Sequence, residues 1–202
     1  MTEKGTGDFN FETFLRKTFK EPLNWLASQL LKIGITPNHI TLIGVIGNLA
    51  ASTLIAFGHL RWGGLVAGLM APLDAVDGAV ARLRGKPRRF GAFFDSVIDR
   101  YDELILLAGL LIYFYVRADT IGFLLTYLSA MGSVLVSYTR ARAEGLGLDA
   151  KTGIMTRIER SIVMIIGLLL ARPIYSVGII AVFANITAFQ RICRVWQQTK
   201  AE

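Results

Sequence analysis

Apolar residues dominate this chain in long runs that are separated by short polar and basic stretches. Several runs reach, or come close to, the roughly 20 residues that a helix needs to cross the hydrocarbon core of a bilayer. We therefore expect six transmembrane helices, at about 39–58, 61–82, 91–116, 120–139, 159–172 and 174–193. This pattern predicts an all-α integral membrane protein.

The segment before the first run has a different pattern. Over 11–33, apolar residues recur at spacings of three and four, and Lys and Arg residues fall on the opposite face. Such a pattern is typical of an amphipathic helix that lies in the membrane interface instead of crossing it. We accordingly divide the chain into an interfacial segment, 1–34, and a six-helix transmembrane domain, 35–202.

The charge distribution predicts an orientation. Hydrophobic residues make up 53% of the chain and charged residues 18%, yet the net charge is +7. With six spans, nearly all Lys and Arg residues fall on the side of the termini, and the opposite turns carry Arg61, Arg117 and Arg172. The basic side is expected to be cytoplasmic. We therefore predict a multi-pass protein of the cell (inner) membrane whose partners are lipids and anionic substrates, with no nucleic acid partner.

Four aspartates flank the basic connection 82–90. Asp74 and Asp77 lie three residues apart near the end of the second predicted span, and Asp95 and Asp99 lie four apart near the start of the third. Residues at these spacings share a helix face. We expect the connection to fold the two helix ends into an antiparallel pair, which would bring the four carboxylates together near the cytoplasmic surface.

Converging carboxylates in a membrane need compensating positive charge. A single charged residue at the bilayer centre costs about 2.5–3.5 kcal/mol or more. Mg²⁺ prefers oxygen ligands and completes its shell with substrate phosphates, and two ions about 3.5–4 Å apart can hold the oxygens of a phosphoryl transfer. The pattern thus favours a site for two Mg²⁺ ions, with Mn²⁺ as a substitute. The alternative is a set of structural ion pairs with Arg82 or Arg100.

The stretch 74–99 resembles the signature of the CDP-alcohol phosphotransferases, DxxDGxxAR, eight residues, GxxxDxxxD. Its fixed positions are all present, as Asp74, Asp77, Gly78, Ala81, Arg82, Gly91, Asp95 and Asp99. The resemblance implies transfer of a phosphatidyl group from CDP-diacylglycerol to the hydroxyl of an alcohol, with release of CMP. It also implies a homodimer.

The same resemblance implies roles for the four aspartates. Asp74, Asp77 and Asp95 would bind the two metal ions that hold the diphosphate. Asp99 would be a further metal ligand or the general base that takes the proton of the acceptor hydroxyl, and a base of this kind needs hydrogen-bond reach to that proton.

Further residues would bind the CDP-linked donor. The resemblance implies that Arg82 contacts the diphosphate, that Gly78 and Ala81 leave room for the cytidine, and that Gly91 belongs to the same site. A second nucleotide contact is similar in the run before the first span, at Pro37, Asn38 and Thr41. A proline turn and a helix cap explain that run equally well.

Polar and basic residues also cluster near the predicted cytoplasmic ends of the last three spans. They are Ser137, Arg140, Arg142, Arg157, Arg160 and Arg191. Each arginine alone could be a membrane anchor, but several beside a phosphoryl-transfer site suit bidentate phosphate binding. The acceptor is therefore expected to carry a phosphate of its own.

Two acceptors fit this expectation. Inositol phosphate is favoured, because 137–144 resembles the pattern of phosphatidylinositol-phosphate synthases. Glycerol 3-phosphate is the alternative and would make the chain a phosphatidylglycerophosphate synthase. A transporter or a membrane scaffold with a structural carboxylate cluster is the non-enzymatic alternative, although transporters tend to show repeats and broken helices at the midplane.

Overall fold

The computed structural model describes residues 20–32, 34, 36–83 and 89–200. Within these ranges, the side chains of six residues lie outside the description: Lys20, Leu26, Asn38, Asp74, Ala75 and Ala81. Every regular element in the described residues is an α-helix. The helices are α1 (Lys20–Lys32), α2 (Pro37–Ala56), α3 (Leu60–Met70), α4 (Leu73–Leu83), α5 (Arg89–Val116), α6 (Thr120–Gly145), α7 (Arg157–Leu169) and α8 (Pro173–Thr199).

The helix boundaries follow from local capping chemistry. Thr36 caps α2, with its hydroxyl accepting from the His39 amide and His39 Nδ1 accepting from the Thr36 amide, both at 3.4 Å. Pro37 takes the first helical position, where its missing N–H costs nothing. Thr156 and Glu159 form the corresponding capping box of α7. Both helices that open near the predicted site therefore start at defined residues.

The predicted spans agree with the helices in position, with one correction. The expected continuous helix over 61–82 is two helices, α3 and α4, separated at Ala71 and Pro72. A proline lacks the amide hydrogen and disfavours helical backbone in the residue before it, which accounts for the break. The predicted helix 120–139 extends further, to Gly145, and therefore contains Arg140 and Arg142.

The predicted all-α fold is confirmed for the described residues. Among the described residues, three helices are long and apolar enough to cross a membrane by length and composition: His39–Ala56, Thr120–Gly145 and Pro173–Thr199. Of the predicted interfacial helix 11–33, the described part Lys20–Lys32 is helical, and 11–19 lie outside the described residues.

Two clusters of buried apolar residues hold the helices together. The main cluster joins α2, α3 and α5–α8 through residues such as Ile55, Leu107, Leu168 and Ile180. The satellite cluster joins α1, α2 and α4 and consists of Ala27, Ile40, Val76, Ala79 and Val80. The carboxylate-bearing helix α4 thus rests on the small satellite cluster, whereas α5 rests on the main one.

Small residues and side-chain hydrogen bonds tighten the main cluster. The Ser129 hydroxyl of α6 donates to the Val177 carbonyl of α8 at 2.8 Å, and the Ser52 hydroxyl of α2 donates to the Ile105 carbonyl of α5 at 2.6 Å. A Cβ at Gly109 would lie 2.5 Å from the Ser52 carbonyl oxygen, so only glycine permits this approach. These features are typical of membrane helices, whose association depends on close packing and interhelical polar contacts.

Candidate active site

The first two aspartates of the signature, Asp74 and Asp77, lie on α4 and form the donor-side carboxylate arm. Asp77 is 4% exposed, and the Thr41 hydroxyl of α2 donates to its Oδ2 at 3.0 Å. The same hydroxyl lies 3.1 Å from the Pro37 carbonyl. Thr41 therefore links the start of α2 to a buried carboxylate, a contact that fixes the direction in which Asp77 presents its oxygens. Asp74 belongs to the same helix, and its side chain lies outside the described set.

The second arm lies in the first half of α5. Asp95 and Asp99 are one helical turn apart and half-buried. Asp99 Oδ2 lies 2.8 Å from Arg157 Nη1 of α7 and 3.6 Å from Arg100 Nη1. Arg100 also donates to the Ser96 carbonyl at 2.6 Å. The predicted base of the reaction is thus in direct contact with one of the predicted phosphate-binding arginines.

Both arms pack against α2. The connection that we expected to fold them into an antiparallel pair includes 84–88, which lie outside the described residues. The most extensive contacts of α4 are with α1 and α2, and those of α5 are with α2 and α6. Along α2, Thr41 reaches Asp77 of α4, and Gly44 lies against Asp102 of α5, whose Oδ2 would be 3.9 Å from a Cβ at Gly44. The first span is therefore the element that joins the carboxylate-bearing helices.

The predicted metal ligands are only partly described. Within the described side chains, no group of three or more His, Cys, Asp or Glu residues is arranged to hold a metal ion. The side chain of Asp74, one of the four predicted ligands, lies outside the described set. The metal prediction for Asp74, Asp77, Asp95 and Asp99 stays a prediction.

The predicted donor contacts lie on α2, α4 and the start of α5. Arg82 is exposed, and its Nη1 would lie 3.4 Å from a Cβ at Gly78, so its side chain runs back over that glycine. Gly91 is exposed in the first turn of α5. Pro37 is half-buried at the start of α2, while the side chains of Asn38 and Ala81 are not described. Arg82 and Gly78 thus form one surface of α4.

The predicted acceptor contacts divide into two groups. Arg140 and Arg142 are exposed near the end of α6, with Arg140 Nε 3.0 Å from Glu144 Oε1, and Ser137 is half-buried one turn earlier. Arg157 opens α7, and its side chain is 32% exposed. Of these residues, Arg157 is the one that contacts Asp99.

Arg160 and Arg191 form the second group, because both are buried. Arg160 is 2% exposed and donates from Nε and Nη2 to the two carboxylate oxygens of Glu103 at 2.6 and 2.9 Å. Arg191 is 4% exposed and donates to the Thr152 carbonyl at 2.9 Å and to the Val136 carbonyl. The structure thus places these two predicted phosphate contacts against protein groups.

Sequence reasoning missed the involvement of Glu103. One signal was available: Glu103 lies four residues after Asp99, and Arg160 lies three after Arg157, so both pairs share a helix face. If one helix carries two acidic residues one turn apart and its neighbour carries two arginines one turn apart, two ion pairs can form between them. The sequence does not show that α5 faces α7.

The connection 146–156 is tied to α8 at three levels. Gln198 accepts from the Asp149 amide at 3.0 Å and donates to its carbonyl at 2.6 Å, Arg191 binds the Thr152 carbonyl, and the Met155 amide donates to the Thr187 hydroxyl at 3.0 Å. Gly153 has a φ of +128° and would place a Cβ 2.2 Å from Thr187 Cγ2. This connection therefore lies in a defined position and leads directly into Arg157.

Comparison with known proteins gives the same picture. Residues 34–190 match the model of the CDP-alcohol phosphatidyltransferase family. The phosphatidylinositol phosphate synthase of Mycobacteroides abscessus is 37% identical over 186 residues, covering 88% of this chain and 84% of the relative. The archaetidylinositol phosphate synthase of Pyrococcus horikoshii is 37% identical over 179 residues, covering 88% and 93%.

Solved structures agree with these matches. The crystal structure of Mycobacterium tuberculosis phosphatidylinositol phosphate synthase with CDP-DAG bound has a TM-score of 0.80 and 31% identity, over 86% of this chain and 93% of that one. A second structure of that enzyme, in complex with manganese and citrate, also has a TM-score of 0.80 and 31% identity, over 86% and 88%. The predicted phosphotransferase is confirmed: with its complete carboxylate signature, this chain belongs to the CDP-alcohol phosphatidyltransferase family.

Proposed function

We propose that this enzyme transfers the phosphatidyl group of CDP-diacylglycerol to a hydroxyl of inositol phosphate and releases CMP. The observation that carries this proposal is the contact between Asp99 and Arg157, whose Oδ2 and Nη1 lie 2.8 Å apart. A guanidinium beside the proposed base favours an acceptor with an anionic group close to its reacting hydroxyl. The relatives named for phosphatidylinositol phosphate and archaetidylinositol phosphate synthesis support inositol phosphate as that acceptor.

The donor set at the carboxylate arms suits hard divalent cations. The proposed ligands Asp74, Asp77, Asp95 and Asp99 offer only carboxylate oxygens, which Mg²⁺ and Mn²⁺ accept readily. Asp77 is buried and already oriented by Thr41, and the manganese complex of the mycobacterial relative supports a divalent metal here. Two ions, when bound, would neutralise the charge of the diphosphate and of the leaving CMP.

The donor is proposed to bind along α4 and the start of α2. Arg82 is exposed and lies over Gly78, where its guanidinium can bind the diphosphate in a bidentate manner. Gly78 and Ala81 leave space for the cytidine, and Gly91 allows the donor to approach α5. Pro37, Asn38 and Thr41 complete the nucleotide contact, and Thr41 also orients Asp77.

The acceptor is proposed to bind between α6 and α7. Arg140 and Arg142 are exposed and Arg157 is partly exposed, and we assign them, together with Ser137, to the phosphate of the acceptor. Asp99 acts as the general base that removes the proton from the acceptor hydroxyl, for which it needs hydrogen-bond distance to that hydroxyl. The buried contacts of Arg160 and Arg191 favour a role for these two residues in shaping the pocket.

The placement of the enzyme in the membrane is also a proposal. Residues 35–202 would form one domain with six passes, in which α3 and α4 together make the second pass of about 36 Å and α5 makes the third of about 42 Å, at 1.5 Å per residue. The 13 residues of α7 give about 20 Å, less than the hydrocarbon core of about 30 Å. A short fifth pass supports a site in which Arg157 lies below the cytoplasmic surface of the inner membrane.

The N-terminal segment 1–34 is proposed to lie in the interface, and two copies of the chain are proposed to associate. The satellite cluster, through which α1 packs against α4, supports a position of α1 beside the membrane surface. Light scattering of the purified protein, corrected for detergent, would give a dimer mass if the second proposal holds.

The reaction can be tested with the protein purified in detergent. CMP release from CDP-diacylglycerol with Mg²⁺ would be measured separately with inositol 1-phosphate, glycerol 3-phosphate, free inositol and serine. We expect release with inositol 1-phosphate, and a rate at least about 100-fold lower for Asp99→Asn.

The results with the other acceptors distinguish the alternative functions. Release with glycerol 3-phosphate would keep the reaction and change the acceptor. Release with serine or free inositol would show that the arginines near Asp99 do not select a phosphorylated acceptor. No release with any acceptor, from folded protein, would contradict the proposed reaction.

A further inference from the structure

A groove lies between the end of α8 and the connection 146–156, and the proposed reaction assigns no substrate to it. Its volume is about 480 Å³. Its lining includes Thr152 and Ile154 of the connection and Phe189, Gln190, Cys193 and Arg194 of α8. Residues at spacings of three and four share a helix face, so Gln190, Cys193 and Arg194 form one wall of this α8 groove.

The α8 groove lies at the boundary between the hydrocarbon core and the headgroup region of a bilayer. The helix is long and apolar enough to cross a membrane. With Pro173 at the opposite boundary, Phe189 lies about 24 Å and Arg194 about 32 Å along the helix, at about 1.5 Å per residue. The hydrocarbon core is about 30 Å thick. Phe189 is therefore at the depth of acyl chains, and Arg194 is at the level of the lipid phosphates.

The deeper end of the groove is apolar. Phe189 is 65% exposed and Ile154 is 55% exposed. The Met155 amide donates to the Thr187 hydroxyl, and the Thr152 carbonyl accepts from Arg191. These two bonds place Ile154 at the level of Phe189, so both apolar side chains face the region that an acyl chain occupies.

The shallower end of the groove is polar and basic. Arg194 is exposed, and the ion pairs formed among the described residues do not include it. Gln197 is exposed and lines the same groove. A guanidinium binds two phosphate oxygens at once. The groove thus combines an apolar deep end with a phosphate-binding group at the membrane surface, which is the polarity of a phospholipid.

Two polar atoms in the lining are buried and have no hydrogen-bond partner among the described residues: Thr152 Oγ1 and Gln190 Oε1. Most buried polar atoms in native proteins are hydrogen-bonded, so a ligand gains bonds where such atoms are unpaired. The Thr152 hydroxyl can donate to a phosphate, whereas the Gln190 oxygen only accepts and needs a donor such as a hydroxyl. Both residues are half-buried, so a small side-chain rotation turns either atom toward the groove.

We propose that the α8 groove binds one anionic phospholipid with a polyol headgroup. Arg194 and Thr152 bind its phosphodiester, Gln190 accepts a hydrogen bond from a headgroup hydroxyl, and an acyl chain covers Phe189. The carboxylate arms lie on α4 and α5, outside this groove. Lipid binding here is therefore independent of the proposed reaction and is measured without substrates.

Cys193 reports occupancy of the groove directly, because it is the single cysteine of the chain and is partly exposed. The purified protein in a neutral detergent is mixed with increasing phosphatidylglycerol, and the rate at which a maleimide alkylates Cys193 is measured. We expect a rate about tenfold lower at ten times the Kd, and little protection by phosphatidylcholine. Equal protection by both lipids, or none by phosphatidylglycerol, would overturn the proposal.

A pair of matched variants tests the role of Arg194. Arg194→Gln should raise the Kd for phosphatidylglycerol about tenfold, the effect of losing one charge-assisted hydrogen bond. Lys200→Gln removes the same charge from the same end of α8, outside the groove lining, and should raise the Kd less than about threefold. Each Kd comes from the lipid concentration at half-maximal protection, so a change in the intrinsic rate of the thiol does not enter. Equal increases would attribute binding to general surface charge and contradict the proposal.

Two lipids of equal charge test the headgroup. Phosphatidylmethanol has the phosphodiester of phosphatidylglycerol without its hydroxyls. The wild type should bind phosphatidylglycerol about three- to tenfold more tightly, and Gln190→Leu should remove this preference. Equal affinity of the wild type for both lipids would contradict the polyol headgroup. Glycerophosphoglycerol, the water-soluble headgroup, should give no protection at the same concentrations, and protection by it would show that the groove binds a free anion instead of a lipid.

Discussion

The helices on the two sides of the carboxylate signature are held by different contacts. On the donor side, α4 packs against α1 and α2 through the satellite cluster of five buried residues, and Thr41 of α2 donates to its Asp77. On the acceptor side, α5–α8 share the main cluster and are joined by the buried ion pair of Glu103 with Arg160 and by hydrogen bonds.

This difference matches the two substrates that we propose. A donor with two acyl chains enters from the bilayer and is proposed to bind along α4 and α2. A small anion needs several cations at fixed positions, which the buried contacts of the acceptor side provide. We infer that the contacts on one side of the signature can be altered without changing the binding of the other side's substrate. Four predictions test this comparison.

Removing the divalent metal should have the largest effect, because the metal site is shared by both sides. With EDTA, CMP release should fall to background, and Mg²⁺ or Mn²⁺ should restore it. The donor set of carboxylates requires a cation before a diphosphate can bind beside it. Activity that persists in EDTA after dialysis would show that the carboxylates serve another purpose.

Asp99→Asn should lower kcat by about 10²–10⁴-fold, the usual contribution of a general base. The amide keeps the shape of the side chain but cannot take the proton from the acceptor. Steady-state rates with both substrates saturating give this number. A loss smaller than about tenfold would point to a different base, and Asp102, buried against Gly44, would be examined next by the same substitution.

Gly153→Ala should disturb the acceptor side alone. Its φ of +128° and the 2.2 Å approach to Thr187 predict a loss of about 1–3 kcal/mol in the free energy of unfolding. Because the connection leads into Arg157, the acceptor KM should rise while the donor KM stays constant. Thermal unfolding in detergent and steady-state kinetics measure the two effects.

Gly145→Ala is the matched control in the same region. A Cβ there would meet nothing within 4 Å, so the stability should change by less than about 0.5 kcal/mol. If Gly153→Ala altered the donor KM as strongly as the acceptor KM, the two sides of the site would not be independent, and the comparison would fail.

Thr41→Val should have the smallest effect, confined to the donor side. It removes the hydroxyl that donates to Asp77, and we expect a rise of about three- to tenfold in the Mg²⁺ concentration needed for half-maximal rate, below or at the lower end of what second-sphere partners contribute. The acceptor KM should not change.

Thr53→Val on the same helix is the control for Thr41→Val. The Thr53 hydroxyl also donates to a carbonyl four residues earlier, that of Leu49, at 2.8 Å. It is exposed on the surface of α2. Equal effects of the two substitutions would mean that the bond to Asp77 is irrelevant to metal binding.

Much of the fold could be predicted from local pattern. The lengths of the apolar runs located the helices, because each run must supply one continuous apolar surface to the bilayer. The break at Pro72 was available from the sequence as well, yet we read 61–82 as continuous because hydropathy alone does not register backbone geometry. The helices α6 and α8 are longer than predicted, because polar residues continue each helix beyond its apolar part.

The sequence predicted which residues form the candidate site better than it predicted how they are arranged. The signature named Asp77, Asp95 and Asp99, and the helical spacing assigned each arm to one face. That Thr41 orients Asp77, and that Arg157 contacts Asp99, were not predicted, because these partners are 36 and 58 positions apart in the chain. Arginines that looked equivalent in the sequence became exposed or buried only when the helices packed.

The amino-acid sequence by itself determined the helices, the faces on which their acidic residues lie and the family to which the chain belongs. Each of these depends on residues within a few helical turns or on a fixed short spacing, and such relations survive in any packing of the chain. Only the tertiary structure decided that α2 joins the two carboxylate arms and that Glu103 takes Arg160 into the protein interior. Those contacts depend on which helices become neighbours, and that choice is made by the shape and burial of the whole bundle.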